Sequence, residues 1–225
     1  MLIPQRPRLL SCRLLEQIEP SLGQALGCAP RHTSVALVTC DQDDSLYAAL
    51  DHATKFADVD VVYAKSFYAG SAHASGPFSG EILGVLAGAD PDEVNEGLWA
   101  LREALTSKIH FVALEGTTAP SFFPHVIEET GRYLAPLAGV PVGSPLAYLI
   151  APPTEALIGL DAAIKSANVK LLKFFGPPTE TNFAGAYLGG SLADVQAAAD
   201  AFSDAVVSVI RSPMAGLVRP ERERR

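Results

Sequence analysis

The chain has 225 residues, a formal net charge of −8 and a sequence pI near 5.1, without a basic stripe. This acidic balance argues against nucleic acid or an anionic membrane surface as a partner. No uncharged apolar run reaches the roughly 18 residues that span a membrane, and the N-terminal residues lack the apolar core of a signal peptide. We therefore expect a cytoplasmic protein, and its positive mean hydropathy of +0.21 predicts a buried subunit interface.

The first half of the chain alternates strand and helix patterns. Residues 11–27 are predicted as a helix that is interrupted at Pro20. The acidic turn 41–45 is predicted to cap the helix after it, because a carboxylate accepts hydrogen bonds from free amide groups. Asp90 is a predicted N-cap, with Pro91 at the first helical position and a carboxylate at the third. Strands are predicted at 35–39, 59–64 and 82–86, with a long loop of small residues over 64–80.

The second half shows a similar alternation. Ser191 and Asp194 form a predicted capping box, and the helix that they open is expected to end at Arg211. The charged, proline-bearing tail 216–225 is predicted to be disordered. Strands are predicted at 111–114, 146–150, 169–175 and 184–188, and helices at about 122–137, at 155–167 and from Ser191.

The two halves repeat one pattern. Asp51 corresponds to Asp161 and Val59 to Val169, each 110 positions apart. A repeat of this length indicates duplicated domains, here 1–108 and 109–215, rather than a solenoid, whose repeats run to roughly 20–50 residues. Each unit has the order strand, helix, strand, loop, strand, helix. This order predicts an α+β fold with helices on one face of a sheet.

Four segments of the chain resemble one known family: DQDDSLYAALDHATKFADVDVVYAKSFYAGSAH, SGEILGVLAG, PLAYLIAPPTEALIGLDAAIKSANVKL and PPTETNFAGAYL. They are similar to ethanolamine-utilisation microcompartment shell proteins of the EutL type, and the resemblance runs from about Arg8 to Pro213. It implies two tandem ferredoxin-like α/β sandwich units, which are circularly permuted microcompartment-shell (BMC) domains. It further implies a homotrimeric, pseudohexameric disc that tiles a microcompartment shell with other shell proteins and has a gated central pore for metabolites or cofactors.

The resemblance also implies a small pore in each subunit that binds a small amine such as ethanolamine. Its expected residues are Asp43, Glu81, Phe111 and Thr181, with Phe111 acting through its backbone. The chemistry agrees, because an ammonium ion favours carboxylate and carbonyl oxygens, and a hydroxyl needs a polar partner. A solvated strand-end charge at Glu81 and an ordinary turn hydroxyl at Thr181 remain open as alternatives. Ethanolamine in this pore is expected to hold the loops of the central pore closed.

The resemblance, together with the extra small residues of the first loop, implies that the loop 64–80 and the segment 115–120 line the three-fold axis and are among the most mobile regions. The expected pore-loop residues are Tyr68, Ala69, Gly70, His73, Gly76, Gly116 and Thr117. A three-fold ring of His73 could bind a metal or sense pH, although an exposed loop histidine is the simpler interpretation. Neither the five histidines nor the three cysteines show metal-ligand spacing, so we predict no metal site and no cofactor.

A second class of function is open to the sequence. Asp41, Asp43 and Asp44 follow a predicted strand in a pattern similar to that of aspartate-nucleophile phosphotransferases. Catalysis of that kind would need a magnesium ion, a phosphate-binding hydroxyl, a lysine such as Lys55 or Lys65, and further acidic residues. The second copy carries Pro152-Pro153-Thr154-Glu155 at the same place, which is typical of a turn and helix cap. The sequence therefore favours a structural, non-enzymatic shell protein over a small-molecule sensor or phosphotransferase-like enzyme.

Overall fold

The computed structural model describes residues 1–67, 76–177 and 179–215, and these form ten strands and six helices. The elements of the first half are β1 (Leu2–Gln5), β2 (Leu9–Leu15), α1 (Pro20–Ala25), β3 (Ser34–Cys40), α2 (Asp43–Phe56), β4 (Val59–Ser66), β5 (Ile82–Gly88) and α3 (Pro91–Ser107). Those of the second half are β6 (Phe111–Leu114), β7 (Phe123–Ile127), α4 (Leu134–Ala138), β8 (Leu146–Ala151), α5 (Pro153–Ser166), β9 (Lys170–Phe175), β10 (Ala184–Gly189) and α6 (Leu192–Arg211).

Each half builds an antiparallel four-stranded sheet with the same topology. The strand orders are β2-β3-β5-β4 and β7-β8-β10-β9. Helices α2 and α5 both have 14 residues, and Asp51 and Asp161 occupy the same position in each. The prediction of an α+β fold built from two tandem units is confirmed.

A third, two-stranded sheet joins the halves. Strand β1 pairs antiparallel with β6, so that Leu2 lies opposite Leu114 and Gln5 opposite Phe111. These two strands precede the equivalent strands β2 and β7, and antiparallel pairing of equivalent segments is the arrangement that a local two-fold axis produces. The pairing brings Gln5 from the start of the chain beside Phe111 from its middle.

Helices α2 and α3 lie between the two large sheets. One apolar cluster combines Leu50 of α2 and Leu101 of α3 with Tyr148 and Ile150 of β8. A second cluster packs α5 and α6 against the opposite face of the second sheet, through residues such as Leu149. All six residues of β8 are buried, because alternate side chains of a strand point to opposite faces and both faces are covered. The layers therefore follow the order first sheet, α2 and α3, second sheet, α5 and α6.

Two of the predicted helix starts are confirmed, and the third differs in detail. The Asp90 side chain accepts hydrogen bonds from the backbone N–H groups of Asp92 and Glu93, at 3.0 Å each. The Ser191 hydroxyl accepts from the N–H of Asp194 at 3.2 Å. In α2, however, the N-cap is Gln42, whose side chain makes no capping hydrogen bond. The aspartates follow it in the first turn, where their charge complements the positive end of the helix dipole.

The predicted helices 11–27 and 122–137 are wrong in the same way. In both places the chain forms an edge strand and then a short helix: β2 with α1, and β7 with α4. The leucines of β2 recur at a spacing that resembles the apolar stripe of a helix. Because β2 is an edge strand and only partly buried, its apolar and polar residues do not alternate clearly. Pro124 argues against a strand, but an edge strand has one side without hydrogen-bond partners and tolerates proline. Among the described helices, none is long and apolar enough to cross a membrane.

Candidate functional site

A cavity of about 340 Å³ lies where segments of both halves meet. All four residues predicted for the small pore line it. Asp43 begins α2, Glu81 precedes β5, Phe111 begins β6 and Thr181 precedes β10. The other lining residues are Gln5, Asp41, Gln42, Asp44, Ser121 and Phe183. The fold therefore brings together four residues that are dispersed along the sequence.

Asp43 is buried, and its two carboxylate oxygens have different partners. Oδ1 accepts the backbone N–H of Asp44 at 2.8 Å, and Oδ2 accepts the hydroxyl of Ser66 at 2.8 Å. Burial raises the pKa of Asp43, against the effect of the Ser66 hydrogen bond. Within the described part of the chain, no lysine or arginine forms an ion pair with it.

Glu81 is held at the cavity by the glycine before it. Gly80 has a φ of +64°, and a Cβ at this position would lie 2.1 Å from the carbonyl oxygen of Cys40. This close approach lets the N–H of Glu81 donate to that same oxygen at 2.7 Å. Partial burial, and then the negative charges of Asp43 and Asp41, raise the pKa of Glu81 to about 7.

Thr181 belongs to a tight turn that leads into β10. Asn182 has a φ of 58°, in the left-handed region that asparagine tolerates better than most residues. Its N–H donates to the Thr179 carbonyl at 3.2 Å, and the Thr179 hydroxyl donates to the Phe183 carbonyl at 2.9 Å. The turn places Thr181 on the lining of the cavity. The Phe111 ring packs on that of Phe123 in the core, with centroids 4.8 Å apart.

Asp44 adds a further carboxyl group behind Asp43. The Tyr148 hydroxyl donates to its Oδ1, and this hydrogen bond connects α2 of the first half with β8 of the second. Burial, and then the charge of Asp43, raise the pKa of Asp44 well above its usual range. With Asp41, Asp43 and Glu81, four carboxyl groups thus line one cavity, where they can hold protons or attract a cation.

Comparisons with known proteins decide the family. No protein-family model matches the chain. The bacterial microcompartment shell protein EutL of Clostridium perfringens (strain 13 / Type A) is 46% identical over 209 residues, which cover 93% of this chain and 96% of that protein. The chain belongs to the EutL family of microcompartment shell proteins. It is therefore a structural component of the shell of an ethanolamine-utilisation microcompartment.

Solved structures agree with this assignment to the EutL family. The crystal structure of the ethanolamine utilization protein EutL from Leptotrichia buccalis C-1013-b is 43% identical with a TM-score of 0.91, and the match covers 94% of this chain and 98% of that one. The trimeric bacterial microcompartment shell protein PduB shares the fold at 13% identity, with a TM-score of 0.75 over 92% of this chain and 91% of that one.

Asp41, Lys55 and Lys65 each have other partners in this EutL-family chain. Asp41 forms an ion pair with Arg8, with 2.8 Å between Oδ2 and Nε. The Lys55 ammonium donates to the Glu129 carbonyl at 2.9 Å and lines a different cavity. The Lys65 ammonium lies over the Tyr63 ring, 5.7 Å from its centroid, and does not line the site. Neither lysine suggested by the sequence is placed at the aspartates.

The predicted pore-loop residues lie apart from this cavity or outside the described residues. Tyr68, Ala69, Gly70 and His73 fall outside the described ranges, as does the tail 216–225. The Gly76 carbonyl accepts the N–H of Ser79 at 3.2 Å. Gly116 has a φ of +74°, and the Thr117 hydroxyl donates to the Leu114 carbonyl at 2.8 Å. Strand β4 extends to Ser66, so the first residues of the predicted loop 64–80 belong to a strand.

Several residues of the site escaped the sequence patterns. Gln5 lies on a strand that was not predicted, and Ser121 directly precedes β7, which was predicted as helix. Ser66 ends the strand β4, and Tyr148 lies within the apolar strand β8. The repeat gave one indication that Tyr148 is unusual, because it occupies the position that a leucine, Leu37, has in the first copy.

The raised pKa of Glu81 predicts a pH dependence of stability. The folded protein retains this proton up to about pH 7, whereas the unfolded chain loses it near 4.5. The folded state therefore binds more protons between these values, and its stability falls as the pH rises. We expect Glu81→Gln to be more stable than wild type at pH 8 by about 1 kcal/mol, after allowance for solvent screening, and equally stable at pH 4.

Urea denaturation across this pH range measures the difference. Glu16→Gln, the same substitution at an exposed position outside the cavity, controls for the loss of one charge. A difference between Glu81→Gln and wild type that stays constant with pH would contradict the assignment.

Proposed function

We propose that this EutL-family chain forms a homotrimeric disc whose central pore is gated, and that a small pore in each subunit binds ethanolamine. The convergence of Asp43, Glu81, Phe111 and Thr181 on one cavity carries the proposal. The disc encloses metabolic enzymes with other shell proteins and passes small metabolites or cofactors. We assign it no catalytic residue, and we propose 1–108 and 109–215 as its two BMC domains.

The polar groups of the cavity suit a primary ammonium ion that carries a hydroxyl group. Asp43 and Glu81 supply carboxylates for the ammonium, and each charge-assisted hydrogen bond contributes about 1.5–3 kcal/mol. Thr181 and Gln5 offer polar partners for the hydroxyl. Burial raises the pKa of both carboxyl groups and so favours their protonated form. A bound cation would favour the ionised form instead.

The same cavity is connected to the loop that is predicted to gate the central pore. The chain leaves β4 at Ser66 and returns at Glu81. The Ser66 hydroxyl lies within hydrogen-bond distance of Asp43 Oδ2 and the Glu81 carbonyl, and the N–H of Phe67 donates to that carbonyl at 2.9 Å. A ligand on Asp43 and Glu81 would stabilise both ends of this loop. Its occupancy therefore favours the loop state that keeps the cavity intact, which we propose to be the closed pore.

The helical layers support a head-to-tail trimer. Tyr47, Ala48 and Thr54 of α2 are buried or half-buried between the two sheets. The equivalent residues of α5 are apolar but exposed: Leu157 by 54%, Ile158 by 47% and Ile164 by 39%. This apolar face of α5 has no covering layer within the described chain, although its counterpart on α2 is covered.

The sheets show the complementary difference. Tyr148 and Ile150 of β8 are buried against α2, whereas the equivalent Leu37 and Thr39 of β3 are only half-buried. Placing α5 of one chain against the first sheet of the next would repeat between chains the contact that exists within each chain. Such a heterologous interface closes into a ring when the rotation permits, and three chains with two units each give six equivalent positions.

Calorimetric titration with ethanolamine tests the small-pore site. We expect Asp43→Asn and Glu81→Gln each to weaken binding by about tenfold or more, because each removes a charged acceptor. Glu16→Gln, outside the cavity, should retain wild-type affinity. Native mass measurement should show a trimer for every variant. Equal affinity in all four proteins would contradict the site assignment and leave the trimer proposal standing.

A further inference from the structure

A second cavity, of about 230 Å³, adjoins the first and has a different character. The two cavities share Asp43, Asp44, Thr181 and Phe183. Six aromatic side chains line the second one, which we call the aromatic chamber: Tyr47, Tyr133, Tyr148, Phe175, Phe183 and Tyr187. They come from α2, from the segments before α4 and before β10, and from the second sheet.

The rings are arranged around the chamber rather than in one stack. Tyr148 and Phe175 each pack nearly perpendicular to Tyr187, with ring centroids 4.7 and 4.9 Å apart. Tyr47 of the first half and Tyr133 of the second lie nearly parallel, with their ring centroids 6.5 Å apart. The chamber thus has aromatic groups in several orientations, contributed by both halves of the chain.

The chamber is also acidic. Asp43 and Asp44 are only 7% and 8% exposed, and in the described part of the chain neither forms an ion pair with a lysine or arginine. Glu180 and Lys173 are the exposed charged residues among those that line it. The Lys173 ammonium lies over the Phe175 ring at 5.4 Å, so a cation of the chain itself already uses one of these rings.

We propose that the aromatic chamber is a second binding site, selective for a methylated, quaternary ammonium cation. Aromatic faces attract a cation through their quadrupole, and this attraction suits an ion that cannot donate hydrogen bonds. Burial strengthens it, because desolvated cation–π contacts are stronger than exposed ones. Asp43 and Asp44 supply the opposite charge when the site is filled, because a bound cation favours the ionised form of a carboxyl group. Ethanolamine, with three N–H donors and a hydroxyl, fits the more polar first cavity instead.

The site stands independently of ethanolamine binding, because its aromatic residues, apart from Phe183, do not line the first cavity. Glu81 lines only the first cavity and Tyr133 only the chamber. Substitutions at these two positions can therefore separate the two sites.

Titration of the full chain with tetramethylammonium chloride tests the proposal. We expect saturable binding that Tyr133→Leu weakens by about tenfold, since it removes one aromatic face. Tyr133→Phe keeps the ring and should bind as wild type does. Glu81→Gln should leave tetramethylammonium affinity unchanged while it weakens ethanolamine binding. If Tyr133→Leu fails to fold, Phe175→Leu on the edge strand β9 removes a different ring of the chamber and tests the same expectation.

Three results would overturn the proposal. The first is the absence of saturable binding of tetramethylammonium to wild type. The second is an equal affinity for tert-butanol, which has a similar shape without the charge and would indicate a merely apolar pocket. The third is a loss in Glu81→Gln as large as that in Tyr133→Leu, which would place the probe in the first cavity. Failure of ethanolamine to bind anywhere would contradict the proposed function and not this site.

Discussion

Replacing Asp51 with alanine is expected to destabilise the protein by about 3–5 kcal/mol in urea denaturation. Asp51 is fully buried in α2. Its Oδ1 accepts the backbone N–H groups of Leu134 at 2.6 Å and Tyr133 at 3.1 Å, and its Oδ2 accepts that of Gly131 at 2.6 Å. Alanine would leave all three donors without this acceptor, and an unsatisfied buried donor costs about 1–3 kcal/mol.

The internal repeat supplies a matched control for Asp51. Asp161 holds the same position in α5, but its side chain is 63% exposed, and among the described residues it forms an ion pair with Lys165 alone, at 2.6 Å. Such exposed i,i+4 pairs contribute about 0.3–0.5 kcal/mol, so Asp161→Ala should change stability by less than about 0.5 kcal/mol. If the two alanine variants lose equal stability, the hydrogen bonds that Asp51 accepts from the second half do not stabilise the contact between the halves.

The contrast between these two aspartates shows what sequence similarity can and cannot predict. The repeat correctly placed both residues at one position of a repeated helix. It could not indicate that α2 packs against the second sheet while α5 faces outward within the chain, because that depends on which layer lies across from each helix. Two aspartates at the same position of the repeat can therefore differ in burial and in their contribution to stability, because both depend on the tertiary arrangement.

The fold was predictable where local chemistry and burial agree. The central strands β3, β5, β8 and β10 are buried at most of their positions and form apolar runs in the sequence. Asp90 and Ser191 cap their helices through contacts within three residues. The edge strands β2 and β7 were missed, because a half-exposed strand has a weak pattern and owes its structure to its neighbour.

The candidate site was less accessible to pattern alone. Asp43 looked like a capping residue, and Glu81 and Thr181 had ordinary alternative interpretations. Resemblance to a family selected them together, and the fold places all of them on one cavity. Ser66, which bonds Asp43, and Tyr148, which bonds Asp44, come from strands far along the chain, and such contacts have no sequence spacing that could reveal them.

Gly80→Ala is expected to destabilise the protein by about 3 kcal/mol and to weaken ethanolamine binding at the proposed site. Alanine is strained at a φ of +64°, and its Cβ would lie 2.1 Å from the Cys40 carbonyl oxygen. Relief of this clash must move the chain away from β3 and disturb the hydrogen bond from the Glu81 N–H to Cys40. Because Glu81 would move with it, the loss should appear both in urea denaturation and in calorimetric titration.

Gly139→Ala separates the two causes of this loss. Gly139 has a similar φ of +71°, but a Cβ there would meet no atom within 4 Å. The variant therefore carries the backbone strain alone, about 1 kcal/mol, and because Gly139 does not line the cavity, ethanolamine affinity should stay unchanged. The excess loss of stability in Gly80→Ala measures the close approach to Cys40. Equal losses in the two variants would mean that the contact between Gly80 and Cys40 does not position Glu81.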